Sequence, residues 1–248
     1  SAVRGILGRI DAREDELACG AVSPMHEATA RRMRETGEAP GKVHNNCSGK
    51  HAGMLALTLY HGWPRVGYHR PDHPAQRRML AELAEWTRVP AEDIAVAVDG
   101  CGVPTFALSL AMLAGAFARF GADVRRGNGP AAVVAQAMVR SPWYVAGTDR
   151  LCTELLDVAG GRILAKVGAE GVYGAAIPGA ELGIALKVHD GSRRAVEPAL
   201  LAVLRALGML SEDEVAELVR FAHPDIVNTR GEVVGGIRAA VHLESVGG

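Results

Sequence analysis

Long apolar runs, a charge imbalance and a dense cysteine pattern are all missing from this 248-residue chain, and each absence removes a class of protein. No stretch approaches the ~18 consecutive apolar residues of a membrane span, so no membrane partner is expected. Basic and acidic residues number 27 and 28, for a net charge of -1. That balance offers no basic face to a polyanion, and no nucleic-acid partner is expected. Cys19, Cys47, Cys101 and Cys152 are widely spaced in a chain far too long to need a disulfide scaffold. They are read as reduced thiols in a cytoplasmic compartment. A charged-then-apolar leader is missing, as are internal repeats and low-complexity segments. An initiating Met is missing too: the sequence opens in AVRGILGRI, a helix-like stretch. The expectation is a fragment that has lost its beginning, rather than a shortened homologue. What the chain does have is 48% hydrophobic residues, enough for a sizeable core. It is read as a single domain over 1–248, incomplete at its N-terminus.

Helical periodicity predicts helices over 24–36, 49–60, 73–89, 103–120, 131–139, 150–159, 198–207 and 212–221. Two of these, 49–60 and 103–120, are apolar on nearly every face and read as buried helices. Strand-like runs are fewer. A short one covers 94–98, and three more at 162–167, 171–177 and 182–188 are separated by Gly/Pro turns, which predicts an antiparallel meander. A last strand is expected within 232–243, and 123–130 reads as a loop. Helices first, then clustered strands, then helices again favour an α+β fold over regular βαβ alternation.

The densest chemistry lies in HNNCSGKHAGML, residues 44–55. Three functional readings compete for it. A phosphate loop needs a Gly where His44 stands and a hydroxyl where His51 stands, so that reading fails. A cysteine nucleophile is the second reading, with Cys47 at a helix entrance that favours a thiolate and His44 or His51 as base. A metal site is the third. Cys47 and a second donor on the same turn, joined by the remote Cys101 of VDGCGVPT, can hold Zn²⁺ with a position left open. In that reading Lys50 is an unusual donor, because its amine must first lose a proton. Cys101 is expected at the entrance of the 103–120 helix, as Cys47 is at the entrance of its own. The structural alternative is that both are small buried hydrophobes, which is the reading given to Cys19 and Cys152. Asn45 and Asn46 are expected to hold the loop backbone. His61, His69 and His223 are read as surface or loop residues.

HNNCSGKHAGML and VDGCGVPTFAL, followed by KVGAEGVY and LGIALKVHDG, resemble the signature segments of the asparaginase II family, the rhizobial-type L-asparaginases. The resemblance runs through essentially the whole chain in the same order. It implies an α+β fold in which helices pack on a mainly antiparallel sheet, similar to serine β-lactamases and glutaminases, here missing its N-terminal part. It implies hydrolysis of L-asparagine to L-aspartate and ammonia, and a homodimer. It implies Zn²⁺ held by Cys47, Lys50 and Cys101. It also implies catalysis by Ser-Lys pairs, with Lys187 matching one of the lysines and acting as base to a serine. His51 and Asp99, adjacent to the implied ligands, are expected to orient them or to contact substrate. The chain departs from the pattern in one respect that matters: none of its eight serines stands in a Ser-x-x-Lys arrangement. The nucleophile is therefore expected upstream of this sequence. Gly174 stands where relatives often have Cys, and Gly102 where they often have Ser.

Overall fold

A computed structural model of the chain describes residues 2–127 and 129–245, and it divides into two compact units, Ser1–Leu108 and Ser109–Gly248. Helix makes up about 51% and strand about 12%, in small antiparallel sheets, so the fold is α+β. The predicted 123–130 loop is mostly helical instead: residues 123–126 end one helix and 129–130 begin the next, while Asn128 lies outside the described residues.

The first unit holds helices α1 (Ala2–Arg9), α2 (Glu27–Thr36), α3 (Ser48–His61) and α4 (Pro74–Thr87), then a hairpin of β1 (Val96–Val98) and β2 (Pro104–Phe106). Helix α3 ends at Gly62, whose φ of 65° closes the last turn at no steric cost. Its buried positions Ser48, His51, Ala52, Met54, Leu55 and Thr58 form one stripe at helical spacing. The opposite side carries exposed Gly49, Gly53 and Tyr60, so α3 is amphipathic in its burial rather than enclosed all round. The stripe packs with Leu7, Leu17, Tyr68, Cys101 and Val103 as the core of this unit.

The 103–120 helix is the main misreading. Residues Pro104–Phe106 are a strand, paired with β1 in the register Val98↔Pro104 and Val96↔Phe106. The helix starts later, at Leu110, where the Ser109 hydroxyl accepts a hydrogen bond from Met112 N–H. Two apolar segments joined without a polar break look like one long helix, and only the cap marks the boundary. Cys101 consequently sits in the tight turn of a hairpin, not at a helix entrance. Gly102 N–H donates to Asp99 O at 2.8 Å, and Gly102 has φ 89°, a conformation that disfavours any Cβ.

The second unit runs α5 (Leu110–Arg126), α6 (Gly129–Arg140), α7 (Trp143–Ala146), α8 (Leu151–Ala159), β3 (Leu164–Val167), β4 (Val172–Ile177), β5 (Leu182–Lys187), α9 (Arg193–Ala206), α10 (Glu212–Glu217), α11 (Val219–Ala222), β6 (Asp225–Val227) and β7 (Val233–Gly236). The expected meander forms, antiparallel in the order β3-β4-β5. One face, with Ala165, Tyr173, Ala175 and Ile184, packs on Leu155 of α8 and Leu200 and Leu204 of α9. Helix α5 packs on β4 and β5 at very short range. A Cβ at Gly183 would lie 1.9 Å from the Ala114 carbonyl oxygen, and one at Gly174 2.1 Å from the Phe117 ring. Phe117 therefore occupies the space that a side chain at position 174 would take.

Helix α9 begins five residues before Pro198, which is carried inside the helix. The predicted 212–221 helix is broken at Leu218, fully buried between α10 and α11. The last strand, β7, pairs with β6, whose residues had no strand signature in the sequence.

Candidate functional site

Two segments build the site in the first unit: the loop that enters α3, and the β1–β2 turn. Asn45 fixes the loop from both ends of its amide. Its Oδ1 accepts from Cys47 N–H at 2.8 Å, and its Nδ2 donates to Gly20 O at 2.9 Å. Ser48 Oγ donates to Val43 O at 3.1 Å. These bonds place Cys47 at the N-cap of α3 and Lys50 on its first turn.

The turn brings Asp99 and Cys101 to the same place. The Cys47 and Cys101 sulfurs and an Asp99 carboxylate oxygen all lie within 4.8 Å of one another. Asp99 links the group. Its Oδ2 accepts from Lys50 Nζ at 3.1 Å and from Cys101 Sγ at 3.3 Å, while its Oδ1 accepts from Gly100 N–H at 2.8 Å. Five of the six residues singled out in the sequence, Cys47, Lys50, His51, Asp99 and Cys101, thus belong to one unit and one neighbourhood. The sixth, Lys187, ends β5 in the second unit; it is exposed, and its ammonium donates to the Val188 carbonyl.

Burial sets the electrostatics. It pushes the Cys47 thiol above its ordinary range, with Lys50 pulling the other way and Cys101 adding to the rise. Burial opposes the charge on Lys50, but the Asp99 carboxylate and the two sulfurs outweigh it, so its pKa is raised. Burial likewise opposes the charge on Asp99, yet Lys50, Cys101 and Gly100 hold it below the usual carboxylate range. Without a cation, the site is a thiol pair beside an ammonium–carboxylate pair. The neutral amine that a metal-ligating Lys50 requires is not what this arrangement produces without a cation.

His51 is fully buried, and burial lowers its pKa to about 4. Its Nδ1 lies 2.6 Å from the Tyr68 hydroxyl, and its Nε2 has no hydrogen-bond partner among the described residues. Burial pushes Tyr68 up to about 12. Sequence reasoning missed Tyr68, because no local signal ties it to a histidine seventeen residues away. His44 is also engaged: its Nδ1 accepts from Gly41 N–H at 2.8 Å. Neither histidine is therefore poised as a free base beside Cys47, whose thiol is itself held protonated. The geometry disfavours the cysteine-nucleophile reading.

The donor set suits a borderline-soft divalent cation: two sulfurs from separate segments, a carboxylate and an amine within reach. Cys19 and Cys152 are buried, as expected. Cys152 Sγ lies 2.8 Å from the Tyr173 hydroxyl inside the second unit's core. Cavities of about 400 and 270 Å³ occur in the second unit, and none of the six residues lines either one.

Comparison with curated proteins finds no match. A family model described as L-asparaginase II matches residues 1–239. That span includes both halves of the thiol cluster and the strand that carries Lys187, and the chain belongs to the L-asparaginase II family.

Proposed function

We propose that the chain belongs to an amidohydrolase that converts L-asparagine to L-aspartate and ammonia, with Zn²⁺ held by Cys47, Lys50 and Cys101. The observation that carries the metal part is the convergence of two sulfurs from separate segments to within 4.8 Å of each other and of Asp99. Family membership supports the amide chemistry. When bound, the cation would supply Lewis acidity toward a carbonyl or water.

The chain's own residues supply the rest. Asp99 holds Lys50 and Cys101 in place and is the candidate for the substrate ammonium; His51, expected to orient ligands or contact substrate, is fully buried, which favours the orienting role. In the family reaction a serine hydroxyl attacks the side-chain amide carbon and ammonia leaves. Water then hydrolyses the ester to the carboxylate and restores the hydroxyl. Lys187 is assigned as the base to that serine, which we place outside these 248 residues because none of their serines is in a Ser-x-x-Lys arrangement. A homodimer in the cytoplasm fits this reading. Among the described residues no helix is long and apolar enough to cross a membrane.

The absence of Ser-x-x-Lys also favours a second reading, a zinc-binding homologue that binds an amino acid or a partner protein without turning it over. Two measurements separate the possibilities. Metal analysis of the purified chain should find one zinc per chain, and none in Cys101→Ser; a native chain free of metal after purification and after incubation with Zn²⁺ sinks the metal site. Ammonia release from L-asparagine is then measured on a protein extended upstream to include a Ser-x-x-Lys segment. Turnover supports the hydrolase; zinc binding without any ammonia leaves the binding reading.

A further inference from the structure

His51 presents an unusual combination: a fully buried imidazole beside the thiol cluster with one nitrogen bonded and the other without a hydrogen-bond partner among the described residues. The bonded side determines what the unbonded side is. Ala18 N–H donates to the Tyr68 hydroxyl oxygen at 2.8 Å, and that same oxygen lies 2.6 Å from His51 Nδ1. Tyr68 is itself 1% exposed. A phenol has one proton to give. If Nδ1 carried a hydrogen, it would have to donate to the Tyr68 oxygen, and the phenol's own hydrogen would be left in the core without an acceptor. If Nδ1 is bare, Ala18 donates to Tyr68 and Tyr68 donates to Nδ1, so every link from Ala18 to Nδ1 is satisfied and only the far nitrogen is left without a partner among the described residues. The proton of the neutral ring is then on Nε2.

We infer that Tyr68 is a positioning residue for the site: its hydroxyl locks His51 as the Nε2–H tautomer and so keeps a buried N–H donor beside the Asp99–Cys101 turn. Lys50, His69 and Asp99 lie near enough to act on the ring's charge, and the Cys101 backbone lies beside it. The edge-on packing of the two rings, 5.6 Å between centroids, holds the orientation. With Zn²⁺ bound at the two sulfurs, the Nε2–H would be the donor beside the Cys101 backbone. Ligand orientation by such outer partners affects metal affinity by about 10- to 100-fold. The role of the donor rests on the metal-site reading above; the tautomer rests on the hydrogen bonds alone.

The test uses the full chain labelled with ¹⁵N, metal-free and with Zn²⁺ alone. Long-range ¹H–¹⁵N correlation spectra of the imidazoles should show His51 protonated at Nε2 and bare at Nδ1. In Tyr68→Phe, which keeps the ring and removes the oxygen, that pattern should be lost and Zn²⁺ affinity should fall about tenfold or more. A native His51 protonated at Nδ1 overturns the inference. So does a folded Tyr68→Phe chain with both the native tautomer and the native affinity, or one whose tautomer changes while its affinity does not. Should Tyr68→Phe fail to fold, the native spectrum together with the affinity of His51→Phe decides, the inference requiring the Nε2–H pattern and weakened binding. A native chain that takes up no Zn²⁺ removes the metal-site reading, and the metal-free spectrum still decides the tautomer.

Discussion

Asp99 illustrates how one side chain can matter greatly to a site and little to a fold. Its carboxylate accepts from Lys50, Cys101 and Gly100 at once. The Lys50–Asp99 ion pair, however, has side chains 41% and 37% exposed. Water screens a pair that open, and such pairs contribute about 0–1 kcal/mol. The Asp99→Asn substitution keeps an acceptor oxygen for Gly100 and removes the charge that holds Lys50. We expect the metal-free variant to lose less than about 1 kcal/mol in urea denaturation, while Zn²⁺ affinity, measured by competition with a chromophoric chelator, falls about 10- to 100-fold. Equal losses of stability and affinity would make Asp99 a structural residue only. The same residue shows what a sequence can reveal. Asp99, Cys101, Cys47 and Lys50 were legible because acid, thiol and amine crowd into two short motifs. Tyr68 was not, since its link to His51 exists only once the loop after α3 folds back, and a lone tyrosine between Gly67 and His69 carries no mark of that.

At the scale of elements, glycines decide how closely helix and sheet approach. Helix α5 lies against β5 so tightly that a Cβ at Gly183 would meet the Ala114 oxygen at 1.9 Å and the Ala118 nitrogen at 2.4 Å. Both are backbone atoms of a helix and cannot swing aside as a side-chain tip can. Gly183→Ala should therefore push α5 off the sheet and cost about 3 kcal/mol in chemical denaturation. Gly179→Ala, with nothing within 4 Å of the new methyl, should stay within about 0.5 kcal/mol of the parent. If the two variants are equally stable, the close approach is not a feature of the folded protein. The β3–β5 meander was legible because apolar residues and Gly/Pro turns alternate there. The β1–β2 hairpin and the start of α5 were not, because Val103–Phe106 and the residues after Ser109 are both apolar, and Ser109 resembles any other serine until its hydroxyl is seen to cap. The end of α9 was read almost correctly and its start was not: Pro198 is a common helix opener, but here it is carried within the helix, buried.

At the scale of the whole chain, the bound cation would act as a cross-link. Cys47 and Cys101 belong to separate segments of the first unit, and in the unfolded chain they are far apart. A cation that binds only the folded arrangement stabilises it by mass action, by about 2.7 kcal/mol at a free concentration a hundred times its dissociation constant. The increment belongs to the elements that carry the donors. Amide hydrogen exchange should slow in the first turn of α3 and in the β1–β2 hairpin when Zn²⁺ is added, and the melting temperature should rise with Zn²⁺ concentration and fall back with chelator. Cys101→Ser should abolish both responses, and because the Asp99 oxygen that accepts from Cys101 Sγ can accept from a serine hydroxyl in its place, the variant's metal-free stability should change little. The same experiment distinguishes a metal site from a pair of structural thiols. Two cysteines that serve only as small hydrophobes would leave melting temperature and exchange indifferent to Zn²⁺, and the serine variant would then differ from the parent by the same amount at every metal concentration.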